Sequence, residues 1–482
     1  MVSVKKNILF SSILASANYV FPLIVYPYIS RVLGVSNIGI CNFVDSVISY
    51  FILISMTGIL VVGTREIASA KEKGKEELDR VFSNLFIFNA LTTIVAVVIL
   101  SICTLLIPKL YEHTQMMLLG CVKLVFNFLM IEWFFKGLED FRYITIRTIA
   151  IRCVYVLAVF LFVNDSNDYV VYYLLTVLTI VINAIVNLSY CGKHVHLSLK
   201  KLSFLDIYKP LLILGFYSLV TSMYTSFNVA ILGFTSSSTE VGYYTTATKL
   251  HGIIISLFTA LTGVMLPRQS ALLANGKFDE YKTMLVKTSD ILLTFSIPLI
   301  LFCIFEAETI IRIISGEGYD GAILPMQIIM PLILVIGYEQ VIVIQGLMPL
   351  KKDRAVFRNA LIGSGVGITL NLLIVPYLQS VGSAIVWLCS EVAVLLSAQY
   401  YITRFVGFKF PLRKLFTQLL YNLPIIIGLI LIHIYVNDRW LSFFLCAIWV
   451  SVYFLSLNLF IKRNDVIYNL FDRAVGIFFK RS

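Results

Sequence analysis

From its seventh residue onward the chain alternates long apolar runs with short polar stretches, and the apolar runs are too long for ordinary core helices. A helix needs roughly 20 apolar residues to cross the hydrocarbon layer of a bilayer. Residues 7–30, 81–108, 169–192, 210–239, 415–437 and 440–461 meet that length without one Asp, Glu, Lys or Arg. The run 359–390 holds one helix and the start of the next, with Pro376 and Gly382 marking the turn. Other spans carry ionisable residues: 39–62 (Asp45), 115–135 (Lys123, Glu132), 143–163 (Arg147, Arg152) and 241–266 (Lys249). The remaining three are 285–305 (Asp290, with Lys287 at its start), 322–349 (Glu339) and 381–403 (Glu391). The pattern therefore predicts an all-α polytopic membrane protein with fourteen transmembrane helices.

The basic residues test that count. If the N-terminus is cytoplasmic and the loops alternate, 31 of the 38 Lys+Arg fall on the cytoplasmic side. Four (Arg31, Lys109, Arg312, Arg439) fall opposite, and three (Lys123, Arg152, Lys249) lie deep within spans, with Arg147 and Lys287 at span ends counted on the cytoplasmic side. This is the positive-inside asymmetry, and a missed helix would scramble it from that point on. Both termini are expected in the cytoplasm. Lys5-Lys6, an apolar run and Ala15-Ser16-Ala17 imitate a secretory signal, but cleavage would reverse the parity, so the first helix is expected to be retained.

Composition agrees: 59% of the residues are hydrophobic and 13% charged, against about half and a quarter in soluble chains. The net charge of +11 belongs to the loop asymmetry and does not indicate nucleic acid. Disorder and a disulfide-rich secreted scaffold are excluded. The eight cysteines show no CxxC pair and read as small hydrophobes, neither disulfides nor metal ligands. His194-x-His196 sits in a Lys-rich loop and reads as solvated surface. Gly363-x-Gly365-x-Gly367 follows no strand, so it reads as close helix packing through small residues. No catalytic Ser/His/Asp set assembles, and the outward loops are short. A non-enzyme is expected, with no cofactor and no metal.

A shift of 203 residues superposes Gly39 on Gly242 and Arg65 on Arg268, each pair separated by the same 26 residues. Six helices separate the copies, so both have one membrane orientation, which implies parallel lobes about an axis normal to the bilayer. The expected organisation is a six-helix lobe over 1–200, a second over 201–410, and an appendage over 411–482. That last part holds two further helices and a tail, 462–482, with Val466, Leu470, Ala474 and Phe478 on one amphipathic face.

Several of these segments resemble one family. Tyr26-Pro27-Tyr28-Ile29-Ser30-Arg31-Val32-Leu33-Gly34 followed by Gly39 is similar to the opening signature of bacterial polysaccharide-transporter membrane proteins. Gly58 with Thr64-Arg65-Glu66-Ile67-Ala68, the run Glu132-Trp133-Phe134-Phe135-Lys136-Gly137-Leu138-Glu139-Asp140-Phe141, and Val241-Gly242-Tyr243-Tyr244 with Lys249 add further matches. Lys136 stands where the family typically has Gln. These proteins are the O-antigen and capsule flippases of lipid-linked oligosaccharides, in the superfamily that includes the MATE drug exporters.

The resemblance implies translocation of an undecaprenyl-diphosphate-linked sugar repeat unit from the inner to the outer leaflet of the bacterial cytoplasmic membrane. A polar cavity between two lobes, open alternately to each side, would carry the glycan while the polyprenyl tail stays in lipid. A diphosphate calls for Arg and Lys, and ionisable groups at membrane depth are functional candidates by default. Lys123, Arg152 and Lys249 lie on the order of 12 Å inside their nearest helix ends. With Arg31, which ends the first helix, they are the expected substrate contacts. Asp45, Glu391 and Glu339 are the expected latch or coupling sites for H+ or Na+; Asp45 is expected to pair with Lys249 across the lobes. Tyr26, Tyr28, Tyr217 and Tyr224 are the aromatics to follow. Partners expected are the lipid-linked oligosaccharide, membrane lipids and glycan polymerase or assembly proteins. Two alternatives remain open: an organic-cation antiporter of the same fold, whose cavity should be mostly acidic, and a non-transporting envelope-assembly protein.

Overall fold

The computed structural model describes residues 4–198 and 208–461. Among these residues every regular element is a helix. The first part contains α1 (Val4–Met56), α2 (Ile59–Lys73), α3 (Lys75–Leu106), α4 (Pro108–Tyr111), α5 (Thr114–Leu129), α6 (Glu132–Gly137), α7 (Phe141–Phe162) and α8 (Tyr169–Cys191). After 208 follow α9 (Tyr208–Thr225), α10 (Phe227–Thr235), α11 (Ser238–Ala274), α12 (Phe278–Phe305), α13 (Ala307–Ser315), α14 (Ile323–Ile329) and α15 (Leu332–Ile342). The chain ends in α16 (Asp353–Val406), α17 (Leu412–Tyr421), α18 (Leu423–Tyr435) and α19 (Arg439–Ser456).

Among the described residues ten helical segments are long and apolar enough to cross a membrane, and α9 with α10, bent by 55°, makes an eleventh. The molecule is a multi-pass membrane protein. Two segments are twice the length of one crossing. The first, α1, is broken where Gly34 takes φ 76°, between the two apolar runs expected there. The second, α16, is broken at Gln379 (φ 50°), three residues past Pro376 and short of Gly382. Beyond that break the freed Ser380 N–H donates to Glu240 Oε2 at 3.2 Å. Pro331 likewise separates α14 from α15, since a proline ring clashes with the preceding turn.

The second crossing runs further than its apolar stretch. After a turn at Thr57 and Gly58, both at positive φ, α2 carries it on to Lys73, where a basic loop was expected. Its other face accounts for that: Ile59, Val62, Ile67 and Ala70 are buried against α6. The fourth crossing breaks at Ile131 (φ 40°). There Trp133, Phe134 and Phe135 turn inward and are fully buried. A Cβ on Gly63 would meet Trp133 at 2.8 Å, and one on Gly137 would meet Ile67 at 2.7 Å. The segments around Thr64 and Trp133 are therefore one packing unit.

The 203-residue repeat has a physical counterpart. A Cβ on Gly39 would lie 1.7 Å from the Ser238 carbonyl oxygen and 3.0 Å from the Gly242 nitrogen; one on Gly242 would lie 2.2 Å from the Val35 oxygen. One turn on, Asn42 Nδ2 donates to Thr245 Oγ1 at 3.0 Å, and these two are also 203 apart. Positions equivalent under the repeat thus touch each other where α1 crosses α11. The boundary expected at residue 200 and the tail helix at 462–482 lie outside the described residues. All eight cysteines are free thiols. Gly363 and Gly367 pack against Val394, Ser390 and Tyr224, as small residues between helices do.

Candidate functional site

The α1–α11 crossing carries polar side chains that an apolar bundle would otherwise avoid. Below it lies a cavity of about 400 Å³. Its walls are the Asn42–Tyr50 stretch of α1, Ser222 and Ser226 at the α9–α10 bend, and Thr245, Thr248 and Lys249 of α11. At the bend the Ser222 carbonyl accepts two donors, the Ser226 N–H and the Tyr50 hydroxyl, each at 2.9 Å. A second cavity of about 310 Å³ lies on the other side of Lys249. It is bounded by Tyr26 and Pro22 of α1, Arg152 and Tyr155 of α7, and Tyr172 and Thr176 of α8.

Lys249 is the partition between them. Its Nζ sits 4.2 Å over the centroid of the Tyr26 ring and 3.4 Å from Asn42 Oδ1. An amide oxygen and an aromatic face hold the ammonium, not a carboxylate. The Tyr26 ring is itself fixed by a 2.6 Å hydrogen bond between its hydroxyl and Thr246 Oγ1. A cation on a desolvated ring face is held by roughly 2 kcal/mol. That contact leaves the ammonium protons free to meet an incoming acceptor.

Asp45 lines the larger cavity but does not pair with Lys249. Lys123 Nζ donates to Asp45 Oδ1 instead. This corrects the expected latch: the acid is neutralised from α5, within the same half of the chain, because α5 packs directly on α1. The Lys123 side chain is 12% exposed and that of Asp45 42%, so the acid faces the cavity and the lysine stands behind it.

Arg152 opens onto the smaller cavity. Its Nη2 donates to Asn18 Oδ1 at 2.6 Å, its guanidinium lies 5.9 Å from the Phe21 centroid, and its Nη1 is buried without a hydrogen-bond partner. Arg31 lies elsewhere. Its Nη2 donates to the Ile313 carbonyl near the end of α13, its stem packs on Gly316, and it borders neither cavity. Beside it Tyr319 OH donates to Ser30 O at 2.9 Å, so this end of the α1–α13 contact is closed by backbone acceptors.

Glu391 is buried and accepts from Trp387 Nε1 at 3.0 Å, and the Glu339 carboxyl from α15 lies against it. The structure brings these two acids together, away from both cavities. Glu132 belongs to a third cluster, 3.2 Å from the buried Arg147, whose Nη1 also donates to Asn187 Oδ1. Of the aromatics, Tyr26 carries the lysine. Tyr28 caps the Val163 carbonyl at 2.8 Å, and Tyr224 is packed against Gly363 and Gly367. Asn42, Tyr50, Ser222, Ser226, Thr245, Thr176 and Asn18 went unnoticed in the sequence. Asn42 and Thr245 were accessible through the repeat, being 203 apart; the others carry no pattern that marks them.

Comparison with known proteins follows the same lines. Residues 4–273 match the family model described as "Polysaccharide biosynthesis protein". The chain is 26% identical over 405 residues to an Escherichia coli (strain K12) protein named "Putative O-antigen transporter", covering 81% of this chain and 94% of the relative. A Shigella dysenteriae protein of the same name is 25% identical, covering 81% and 98%. Among solved structures, the lipid II flippase MurJ in an inward closed conformation superposes with a TM-score of 0.78 at 16% identity, over 93% of this chain and 98% of that one. An inward-facing multidrug resistance MATE family transporter superposes with a TM-score of 0.65 at 14% identity, over 80% and 94%. These last two likenesses are likenesses of fold.

Proposed function

The chain belongs to the family of polysaccharide biosynthesis proteins, and from that premise we propose that it is a flippase for a lipid-linked oligosaccharide. In this reading an undecaprenyl-diphosphate-linked repeat unit passes from the cytoplasmic to the outer leaflet by alternating access. The names of the Escherichia coli and Shigella dysenteriae relatives support an O-antigen unit as the cargo class. The carrying observation is Lys249: a cation at the crossing of the two repeat-related helices, between two cavities, held by a ring and an amide. Arg152 supports it with a guanidinium nitrogen that has no protein acceptor. A diphosphate supplies charged acceptors for Arg152 Nη1 and for the ammonium protons that Asn42 leaves free.

Transport is then a matter of binding and conformation, with no covalent step and no catalytic residue. Splitting α1 at Gly34 and α16 at Gln379, counting α9 with α10 as one crossing and adding α11, gives fourteen passes. With them go two six-helix lobes over 1–200 and 201–410, the appended part 411–482, and both termini in the cytoplasm of a bacterial inner membrane. The Glu339–Glu391 pair is the proposed coupling site for H+ or Na+. Glycan polymerases are the proposed neighbours. Arg31 contributes by closing the outward end of α1 on α13.

The test is a leaflet-specific assay of lipid-linked glycan in cells that lack this protein. Glycan should accumulate in the inner leaflet and be cleared by the wild-type chain, but not by Lys249→Gln. Clearance restored by Lys249→Gln at wild-type rate would remove the carrying observation.

A further inference from the structure

A second polar cluster lies far from the cavities, where the last two helices join the bundle. Glu306 ends α12, His433 lies in the last turn of α18, and Cys446 lies midway along α19. One ligand-capable atom from each lies within 4.8 Å of the other two. Glu306 is 1% exposed, and its carboxylate oxygens have no nitrogen or oxygen hydrogen-bond partner, only the Cys446 thiol. His433 Nε2 stands 3.5 Å from Glu306 Oε1. Cys446 is fully buried, with Sγ 3.9 Å from His433 Nδ1.

The imidazole is oriented for ligation. His433 Nδ1 stands 2.9 Å from the Leu429 carbonyl oxygen, which can only accept. Nδ1 therefore carries the proton, and Nε2 is left to present a lone pair towards Glu306. Metal-bound histidines are held in this way, with the second nitrogen donating to a carbonyl or carboxylate. An imidazole nitrogen, a thiol and a carboxylate converging on one point are the donor set of zinc-class ions. Zinc holds such atoms at roughly 2.0–2.3 Å, so the cluster needs to contract by roughly 1 Å in ligand separation. Ser442, one turn before Cys446, has a buried hydroxyl whose partner is the Cys446 thiol and is a further oxygen donor nearby. The His433 side chain is 41% exposed, which gives an ion a way in.

We propose that Glu306, His433 and Cys446 form a zinc-class metal site that fastens the α18–α19 hairpin to the end of α12. The cluster was invisible in the sequence because its members lie 127 and 13 residues apart, with none of the short spacings of known zinc motifs. It revises the expectation that the chain holds no metal and that Cys446 is only a small hydrophobe. The rival arrangement of the same atoms is a plain imidazolium–carboxylate pair with the thiol as a bystander.

The experiment loads the purified full-length chain in detergent with zinc or cobalt(II), then dialyses it. The wild type should retain one equivalent, and the cobalt form should show a thiolate-to-metal charge-transfer band in the near ultraviolet. Cys446→Ser should abolish the band. His433→Gln and Glu306→Gln should each weaken retention at least tenfold, on the order of what losing even a supporting partner costs. Cys389→Ser, which removes an exposed thiol, should change neither. Thermal unfolding guards against misfolding: zinc should raise the midpoint of the wild type and leave the three ligand variants where they were. A wild-type chain that loses all metal on dialysis, or a cobalt band that survives Cys446→Ser, overturns the proposal. A zinc-induced shift equal in wild type and variants overturns it too.

Discussion

Replacing Asp45 with Asn isolates the charge balance of the larger cavity. The substitution keeps the shape of the side chain and removes the partner of Lys123. An exposed ion pair contributes about 0–1 kcal/mol, whereas breaking a buried one costs about 3–5 kcal/mol because a charge is left without compensation. Here the lysine is 12% exposed and the acid 42%. The single change should therefore fall between those limits, at about 2 kcal/mol. Lys123→Met leaves Asp45 free to turn towards cavity water, so it should cost less. The double variant removes both charges and should be more stable than Asp45→Asn alone, giving a coupling of about 1–2 kcal/mol in a double-mutant cycle. Denaturation in detergent reads the stabilities, and the leaflet assay reads transport on the same four proteins. Lys249→Gln should couple to Asp45→Asn by less than Lys123→Met does, since its direct partners are Tyr26 and Asn42 and Asp45 acts on it only across the shared cavity. Strict additivity of Asp45→Asn and Lys123→Met would refute the pairing. Coupling of Asp45→Asn to Lys249→Gln instead would restore the cross-lobe latch.

Two glycines on α1 and α11 should respond oppositely. Gly39→Ala drives a methyl to 1.7 Å from the Ser238 carbonyl, so it should destabilise by about 1–3 kcal/mol and impair export. Gly252→Ala on α11 meets nothing within 4 Å and should stabilise by about 0.5–1 kcal/mol; thermal unfolding of both decides. Trp133→Ala removes a fully buried indole and should cost about 3–5 kcal/mol, lowering the level of intact protein in the membrane before any effect on cargo. Tyr26→Phe keeps the ring under Lys249 and should preserve export, whereas Tyr26→Leu should lose it; equal export by the two would show that the ring face is not what holds the lysine.

The apolar pattern was enough to find the helices, because crossing a bilayer demands a long uncharged run whatever the neighbours are. It was weaker at the ends. The extension of α2 past Val62 depends on burial against α6, which no local window contains. The breaks at Ile131 and Gln379 sit on residues with no turn preference, held at positive φ by their surroundings. Site residues divided in the same way. Lys123, Arg152 and Lys249 stood out as charges in apolar runs, and all three lie at or directly behind the cavity walls. Which charge meets which was not legible, because Asp45 and Lys123 are 78 residues apart and only the packing of α5 on α1 joins them.

The repeat resolves why one cation is left unpaired. Residues related by a shift of 203 can touch only along the axis between the copies, and Gly39 with Gly242 and Asn42 with Thr245 do so. Small side chains are required at that line, where two backbones approach. One turn further on, the copies diverge: Asp45 corresponds to Thr248, and Lys249 to Ser46. Each half thus places one charge where the other has a hydroxyl. The acid is answered from its own half by Lys123, whose counterpart in the second half is Met326, buried and apolar. The second half has a hydroxyl, Thr248, where the first has the acid, and the first half offers Lys249 only Ser46 at the matching position, so Lys249 is left with Tyr26 and Asn42. The sum over Asp45, Lys123 and Lys249 is one positive charge at the axis, and Arg152 adds another across Lys249. An organic cation would be repelled by that arrangement. A diphosphate would find donors on both sides of a single lysine, which is the physical ground for preferring anionic cargo.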